Sequence, residues 1–568
     1  MKLSDLKAPK RLGIFFFFDE QGVVDDYVTT LLDGMQPHLD HVIIVVNGEL
    51  DDAGRELFAA RPDTELIVRP NEGFDSWAYK TAIDSIGWQG LAEYDEFVMF
   101  NFTIVGPVAD LGLMFDTMDA KDLDFWGVNV HHAAPFDPFG VLETPTLPVH
   151  IQSHFIAVRR SMFLSEPFQD YWDDLPPIPD YSHAVAKHEA KFTWFFDRLG
   201  FTWEPYVDTT DLEPYTLYPL NTYPVQLIEE RNCPFFKRKT LFAGIPSTIE
   251  EMAGFNATGL YEFLETSGRF DMAQLRPHMQ RSMDQYAQFS TLHDWVMLET
   301  LGEPVRDFAV LVPVGAGFEE RLEQARGIAG RSALVVTGTR TRLEDVDGLV
   351  RESGATRIEV TSHWSEAAGR IDQEVTIVLG PDAFHQSGRL ADLVDARAFG
   401  SETFSLPDPS SAIAEFERSR ELGLLVAAPL LHGEHYGELG REWEDTTPAF
   451  EGIATMLGIA VPYSRRTAPL QGSGGTVVLR TAAVRAFGAA VAAAPYGSLV
   501  QLSTRDWQKL TALAVQTAGF VPRVAVTPKL AKYLLSMTFD LLRRINRAVG
   551  PSGGARASTL VARVQSLS

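Results

Sequence analysis

Runs of consecutive apolar residues alternate along the chain with stretches whose apolar positions recur at helical spacing. Residues 12–18 (LGIFFFF) form an uninterrupted apolar and aromatic run, the mark of a strand buried on both faces. Val24, Tyr27, Val28, Leu31 and Leu32 follow at helical spacing, and residues 41–46 make a second apolar run that stops at Asn47-Gly48. Residues 51–60 predict a helix and 65–68 a third strand. Residues 94–100 predict a strand that runs out into Asn101-Phe102-Thr103, and residues 124–127 and 150–155 open two more. This alternation predicts a parallel, Rossmann-like α/β sheet. Between the last two segments, residues 133–148 are Pro-rich and predict a mobile loop over the carboxyl edge of the sheet.

One polar stretch interrupts the pattern. Residues 69–80 (RPNEGFDSWAYK) sit where the third strand gives way to a helix over 76–86. Open α/β sheets bind ligands outside the carboxyl ends of their strands, so Arg, Asn, Asp, Tyr and Lys gathered around Gly73 are candidates for a site. The plainer alternative is a helix N-terminus with Asp75 as N-cap and Gly73 as the turn.

The rhythm repeats after a helical stretch over 271–298 and a Gly/Pro linker at 301–305. Apolar runs at 308–312, 333–336, 375–380, 422–426 and 475–479 predict a second, diverged copy of the same α/β domain. Where the first half has its polar stretch, the second has residues 359–364 (EVTSHW), without an Asn/Asp/Tyr/Lys cluster. That favours a binding or scaffolding role over a second active site; an active one stays open, with His432, His435 and Tyr436 as its pocket candidates against the plainer alternative of a polar loop. The expected divisions are 1–240, a helical connector over 241–304, a second domain over 305–525, and a basic amphipathic tail over 526–568.

Composition narrows the classes. A formal charge of −27 over 568 residues argues against nucleic-acid binding, which needs a basic footprint. A single cysteine, Cys233, excludes a disulfide framework and a Cys-based zinc site. No apolar run approaches the roughly 20 residues of a membrane span, and the N-terminal run is too short for a signal-peptide core. The expectation is a cytoplasmic chain. The tail reverses the charge: residues 529–568 hold seven Lys/Arg against one acid, Asp540, among leucines at helical spacing. Such a helix can lie on the inner, anionic face of a membrane or dock on the acidic body.

VDDYV (24–28), VVNG (45–48), RPNEGFDSWAYK, YDEFVMFNFTIVGP (94–107), DFWG (124–127), HIQSHF (150–155) and CPFFKRK (233–239) together resemble, in order and spacing, the rhamnan synthesis protein F family. The resemblance covers roughly residues 10–240 and more faintly the second half. It implies a GT-A-like fold, Rossmann-type with a mixed sheet and flanking helices. It also implies a glycosyltransferase of bacterial surface polysaccharide, taking L-rhamnose from dTDP-L-rhamnose onto a glycan or lipid-linked glycan acceptor. The rival is a non-catalytic glycan- or nucleotide-binding subunit of an assembly complex. An α/β hydrolase fails for want of a G-x-S-x-G elbow between strand and helix.

Transfer from a sugar nucleotide requires that the nucleotide be held, the leaving diphosphate neutralised and the acceptor hydroxyl deprotonated. Asn47, Asn71, Asn101 and Thr103 are candidates to hold the donor, Arg69 and Lys80 to meet its phosphates, and Asp75 to hold a ribose or sugar hydroxyl and take part in the chemistry. GT-A enzymes bind Mg²⁺ or Mn²⁺ through a D-x-D at the end of the fourth strand. The resemblance places Asn-Asp-Ser there, whereas this chain has Asn101-Phe102-Thr103, oxygen donors without a carboxylate. Glu189, in a segment matching the family's E-x-x-x-T pattern with Thr193 one helical turn on, is the expected base. His150, Gln152, His154 and Trp126 are candidates to line the acceptor side. His131-His132 read as loop, since adjacent side chains of an extended segment point oppositely.

Overall fold

The computed structural model describes residues 2–242, 255–292, 295–298, 307–380, 409–428, 443–444, 446–463, 465, 468–470, 475–495 and 497–549. The expected pocket residues His432, His435 and Tyr436, and the chain beyond 549, lie outside the described residues. The chain divides into two compact units, Met1–Pro277 and His278–Ser568.

In the first unit β1 (Arg11–Phe18), β2 (His41–Asn47), β3 (Thr64–Arg69) and β4 (Glu96–Asn101) are parallel, linked by α1 (Asp26–Met35), α2 (Asp52–Ala59) and α3 (Phe74–Leu91). A short β5 (Ile104–Val105), α4 (Leu111–Asp119), β6 (Phe125–Gly127), β7 (Val130–His131), β8 (His150–Ile151) and β9 (Phe155–Arg159) follow. After α5 (Ala190–Arg198) come β10 (Trp203–Pro205) and β11 (Phe236–Lys237). The sheet order is β10-β6-β9-β4-β1-β2-β3, with β9 antiparallel to both its neighbours. β1 and β4 are central and buried on both faces, which is why their sequences read as unbroken apolar runs.

The second unit repeats this plan. β13 (Ala309–Pro313), β14 (Ala333–Gly338), β15 (Thr356–Glu359) and β16 (Val375–Leu379) correspond to β1 to β4. β17 (Leu422–Ala427), β18 (Thr476–Arg480) and β19 (Val521–Val526) correspond to β6, β9 and β10. The order β12-β19-β17-β18-β16-β13-β14-β15 matches the first sheet strand for strand, including an antiparallel β18 that arises later in the chain than β17. The extra edge strand, β12 (Trp295–Met297), corrects the helical expectation for residues 271–298; three residues are too few to show a period.

Two further expectations change. α3 begins at Phe74 rather than Ser76, with Gly73 (φ +69°) as its N-cap in place of Asp75. Residues 133–148 form a loop closed by a bridge between Ala134 and Leu147, and these two pack with Ala190 of α5. Asp137 accepts hydrogen bonds from the backbone of Phe139, Gly140 and Leu142 inside it.

Candidate active site

A pocket of about 780 Å³ opens at the carboxyl edge of the first sheet. Its walls include Phe16, Phe18 and Phe102, its floor the ends of β1 and β4, and its rim the loop after β3.

The loop is set by backbone geometry. Gly73 and Phe74 both take positive φ (+69° and +55°), so the chain turns sharply into α3 and presents Asp75 to the pocket. A non-glycine residue in this region is strained, and such strain concentrates at functional sites. Asn47 at the end of β2 donates to the carbonyls of Glu72 and Phe74, both at 3.4 Å, and accepts from Arg69 at 2.8 Å. Arg69 also donates to Glu72 O at 2.8 Å. Asn47 and Arg69 therefore fasten the loop, and neither lines the pocket.

Two carboxylates meet across the pocket. Ser153 Oγ lies 2.7 Å from both Asp75 Oδ2 and Glu189 Oε2, and Ser153 N donates to Glu189 at 2.8 Å. Asn101 Nδ2 donates to Asp75 at 3.3 Å, and Tyr79 donates to the Ser153 carbonyl at 3.1 Å. Glu189 closes a π turn, Val185–Glu189, in front of α5; such turns are frequent at functional sites. Thr193, in the next turn, accepts from Ile151 N at 3.0 Å, so both helical residues hold the 151–153 segment.

The two carboxyls are pushed apart. Burial raises the Asp75 pKa and the Glu189 charge adds to it, against the Ser153 bond and Lys237. Burial would also raise Glu189, but His150, Lys237 and Ser153 reverse that and hold it below the usual carboxylate range. Ser153 has one hydroxyl hydrogen to share between two oxygens. Of the two, Asp75 is the carboxyl whose affinity for a proton is raised, and Glu189 the one whose affinity is lowered.

The same pocket holds three basic residues of the CPFFKRK motif, none of them among the expected site residues. β11 pairs antiparallel with β5, Lys237 opposite Ile104, and Arg238 N donates to Thr103 O at 2.9 Å. Lys237, Arg238 and Lys239 thus line the pocket. Lys237 Nζ donates to Thr103 Oγ1 at 3.0 Å. Arg238 lies 4.7 Å over the Phe102 ring and donates to Tyr27 at 3.0 Å; Lys239 lies 4.1 Å over Tyr218. Burial, helped by Lys239 and opposed by Glu189 and Asp75, lowers Lys237 to about 7. Burial against Glu189 lowers Lys239 to about 8. The signal available in sequence was that the CPFFKRK motif is basic inside an acidic chain.

The remaining expected site residues divide. Asn71, Gln152 and His150 line the pocket with Asp75, Asn101, Thr103 and Glu189. His150 Nε2 stands 3.7 Å from Glu189 Oε1. His131, read as loop, belongs to a ribbon, its ring stacked 5.1 Å from that of His150, and it lines the pocket too. His132 faces away to Thr209. Lys80 pairs with Asp84 along α3. Trp126 is fully buried and donates to Glu96 at 2.9 Å. His154 is buried outside the lining, with both ring nitrogens unpartnered. Lys80, Trp126 and His154 thus stand apart from the site expected for them, Trp126 because its large ring is more stable in the core.

Asn101 and Thr103 do not fit a divalent cation. Asn101 Oδ1 already accepts from Thr103 N (3.1 Å) and Thr103 Oγ1 (2.6 Å), while Thr103 Oγ1 accepts from the Lys237 ammonium. A hard cation prefers charged oxygen ligands, and here an ammonium holds the place beside them.

The strand order, with one reversed strand among parallel ones and a polar pocket at the carboxyl edge, defines a GT-A-like, nucleotide-transferase type of fold. Residues 42–314 match the model of the family described as rhamnan synthesis protein F, which bears out the resemblance carried by the motifs. No curated protein matches the chain. Among solved structures, glucosyl-3-phosphoglycerate synthase from Mycobacterium tuberculosis, in complex with Mn²⁺, UDP and phosphoglyceric acid, is 10% identical with a TM-score of 0.19. The match covers 27% of this chain and 56% of that one. A mycobacterial protein is 13% identical over 28% of this chain and 56% of its own (TM-score 0.19). A 4-diphosphocytidyl-2C-methyl-D-erythritol synthase is 13% identical over 35% and 89% (TM-score 0.22). This chain thus spans about half the length of the first two. With overlaps this partial, the reading of the site stands on its own geometry and on the family match.

Proposed function

We propose that the first unit is a glycosyltransferase of surface polysaccharide synthesis. It moves a deoxysugar, L-rhamnose from dTDP-L-rhamnose, onto a glycan or lipid-linked glycan with inversion. The observation that carries this is the pairing, across one pocket, of two carboxylates bridged by Ser153 with the cations of residues 237–239. The donor's diphosphate lies toward Lys237, Arg238 and Lys239, its base toward Phe18 and Asn71. Asp75 takes the proton of the acceptor hydroxyl as that oxygen bonds the anomeric carbon and the bond to the diphosphate breaks. Glu189 stays anionic, holding Ser153 and His150 and favouring the positive charge that develops on the sugar. The leaving diphosphate's charge is met by the basic residues. Activity takes place at the inner membrane face, where the C-terminal helix contacts anionic lipid.

Calorimetric titration with dTDP and UDP, with EDTA or with Mg²⁺, tests the donor site. Binding should persist in EDTA and be lost in Lys237→Met. Asp75→Asn should keep nucleotide binding while transfer falls by roughly 10²–10⁴-fold. Failure to bind either nucleotide sinks the donor site. Binding with no transfer by the wild type, across dTDP- and UDP-sugars and glycan acceptors, favours the alternative of a nucleotide-binding subunit.

A further inference from the structure

The second unit has a cleft of its own, about 690 Å³, in the corresponding place. The first pocket is lined by residues ending β1 and β4, Phe18 and Asn101. This cleft is lined by Pro313 and Gly380, at the ends of their counterparts β13 and β16. The fold has kept the cleft, and its chemistry has changed.

Among the described lining residues the one charged side chain is Arg342, and there is no carboxylate. A nucleoside diphosphate needs several opposing charges, a hard cation needs carboxylates, and glycosyl transfer needs a base. Among the described residues the cleft supplies none of these. It offers instead an aromatic wall and unspent hydrogen-bonding capacity. The His363 ring lies flat on Trp507 at 4.3 Å and 6°, with Trp364 at 4.7 Å. His363 Nδ1 lies 3.0 Å from Ser365 Oγ and 3.4 Å from Ser365 N, and Nε2 has no hydrogen-bond partner among the described residues. Burial pushes the His363 pKa down to about 3, so the ring is neutral. Thr337, near the end of β14, is fully buried and lines the cleft, and its hydroxyl has no partner among the described residues. A buried hydroxyl left unpaired is a standing cost to the fold, and in a cleft a ligand hydroxyl is able to complete it.

We infer that this cleft is a binding site for an uncharged saccharide, which sets its C–H face against the aromatic wall and its hydroxyls on Thr337 and His363. The inference does not depend on the reading of the first pocket.

The test is titration of the full chain with neutral hexose and deoxyhexose tetrasaccharides and, separately, with UDP, for the wild type, Thr337→Val and Lys237→Met. Valine keeps the shape of threonine and removes the unpaired hydroxyl. Thr337→Val should therefore melt at the same temperature as the wild type or higher, yet bind saccharide roughly tenfold more weakly. Its UDP affinity should be unchanged, and Lys237→Met should bind saccharide as the wild type does. A merely structural threonine would not couple gained stability to lost affinity. The inference is overturned if the wild type binds no saccharide, if Thr337→Val binds it as the wild type does, or if Thr337→Val changes UDP affinity, which would make the cleft a nucleotide site.

Discussion

Lys237 shows how its surroundings tune one side chain for the phosphate role proposed for it. Its ammonium is buried beside Lys239, so the free site holds its proton only to about pH 7, while Thr103 fixes its position. A diphosphate binds the charged form and raises the pKa of the complex. The contribution of Lys237 to affinity is thus complete below pH 7 and lost progressively as pH rises above it, with Lys239 following near 8. Affinity for dTDP or UDP should fall between pH 6 and 9 in calorimetric titrations. In Lys237→Arg, which stays charged throughout, the fall should be shallower; an equal fall in both proteins would remove Lys237 from the phosphate site. Asp75 and Glu189 were both legible as candidates from their motifs, but not their division of labour. The opposite shifts of the two depend on Ser153, which bridges them from 78 and 36 residues away, and on His150, which stands beside Glu189, whereas Lys237 acts on both.

The elements are held in place by polar groups inside the sheet as much as by apolar runs. Glu96, at the head of β4, is fully buried and is bonded by Arg11 of β1 at 2.8 Å, Trp126 of β6 at 2.9 Å and Arg159 of β9 at 3.5 Å. Arg11 also pairs with Asp119 at the end of α4, and Arg159 donates to the carbonyls of Met118 and Lys121. One carboxylate therefore ties three neighbouring strands to β4 at their ends. Removing one member of a buried charged set leaves the others desolvated and unpaired. Glu96→Ala should accordingly lower stability by about 3–5 kcal/mol, read from urea unfolding, while nucleotide binding by the remaining folded protein is kept because the network lies at the strand end opposite the pocket. A loss within the range of a surface ion pair, under about 1 kcal/mol, would refute this account. None of it shows in sequence, where Glu96 reads as one acid among Tyr94, Asp95 and Phe97 before a strand.

At the scale of the molecule the two units share this fastening. Arg480 closes the reversed strand β18 as Arg159 closes β9. It pairs with Glu374 just before β16, and donates to the carbonyls of Phe416 at 2.8 Å and Ser419 at 3.2 Å around the end of the helix Ser410–Arg418. The same strand order and the same arginine at the same place are what a duplicated domain leaves after its surface has diverged. The tail belongs to this scale too. The helix Pro528–Val549 sets Leu530 in the core of the second unit and leaves Leu535 and Phe539 60% and 58% exposed. Among the described residues no helix is long and apolar enough to cross a membrane. The full chain should co-sediment with phosphatidylserine vesicles at low salt and be released at high salt. The exposed-face double variant Leu535→Glu/Phe539→Glu should bind far less without unfolding. Equal binding to neutral vesicles, or an unaffected double variant, would rule out the helix as the contact.

What the sequence determined by itself was the layered architecture. Burial of a strand on both faces, or of a helix on one, is a local demand, and it writes a local pattern of apolar positions that 12–18 or 41–46 display without reference to the rest. It also displayed polar clusters in the loops after β3 and β4, at the carboxyl edge where open α/β sheets bind ligands. Only the tertiary structure decided which of these groups meet. Lys237 reaches Thr103 across 134 residues through the β5–β11 ribbon, Trp126 and Lys80 turn away from the site, and the unpaired Thr337 is a cleft residue rather than one threonine in an apolar run. Contacts of that kind depend on strand order and on which loops converge at one edge, and no periodicity along the chain encodes them.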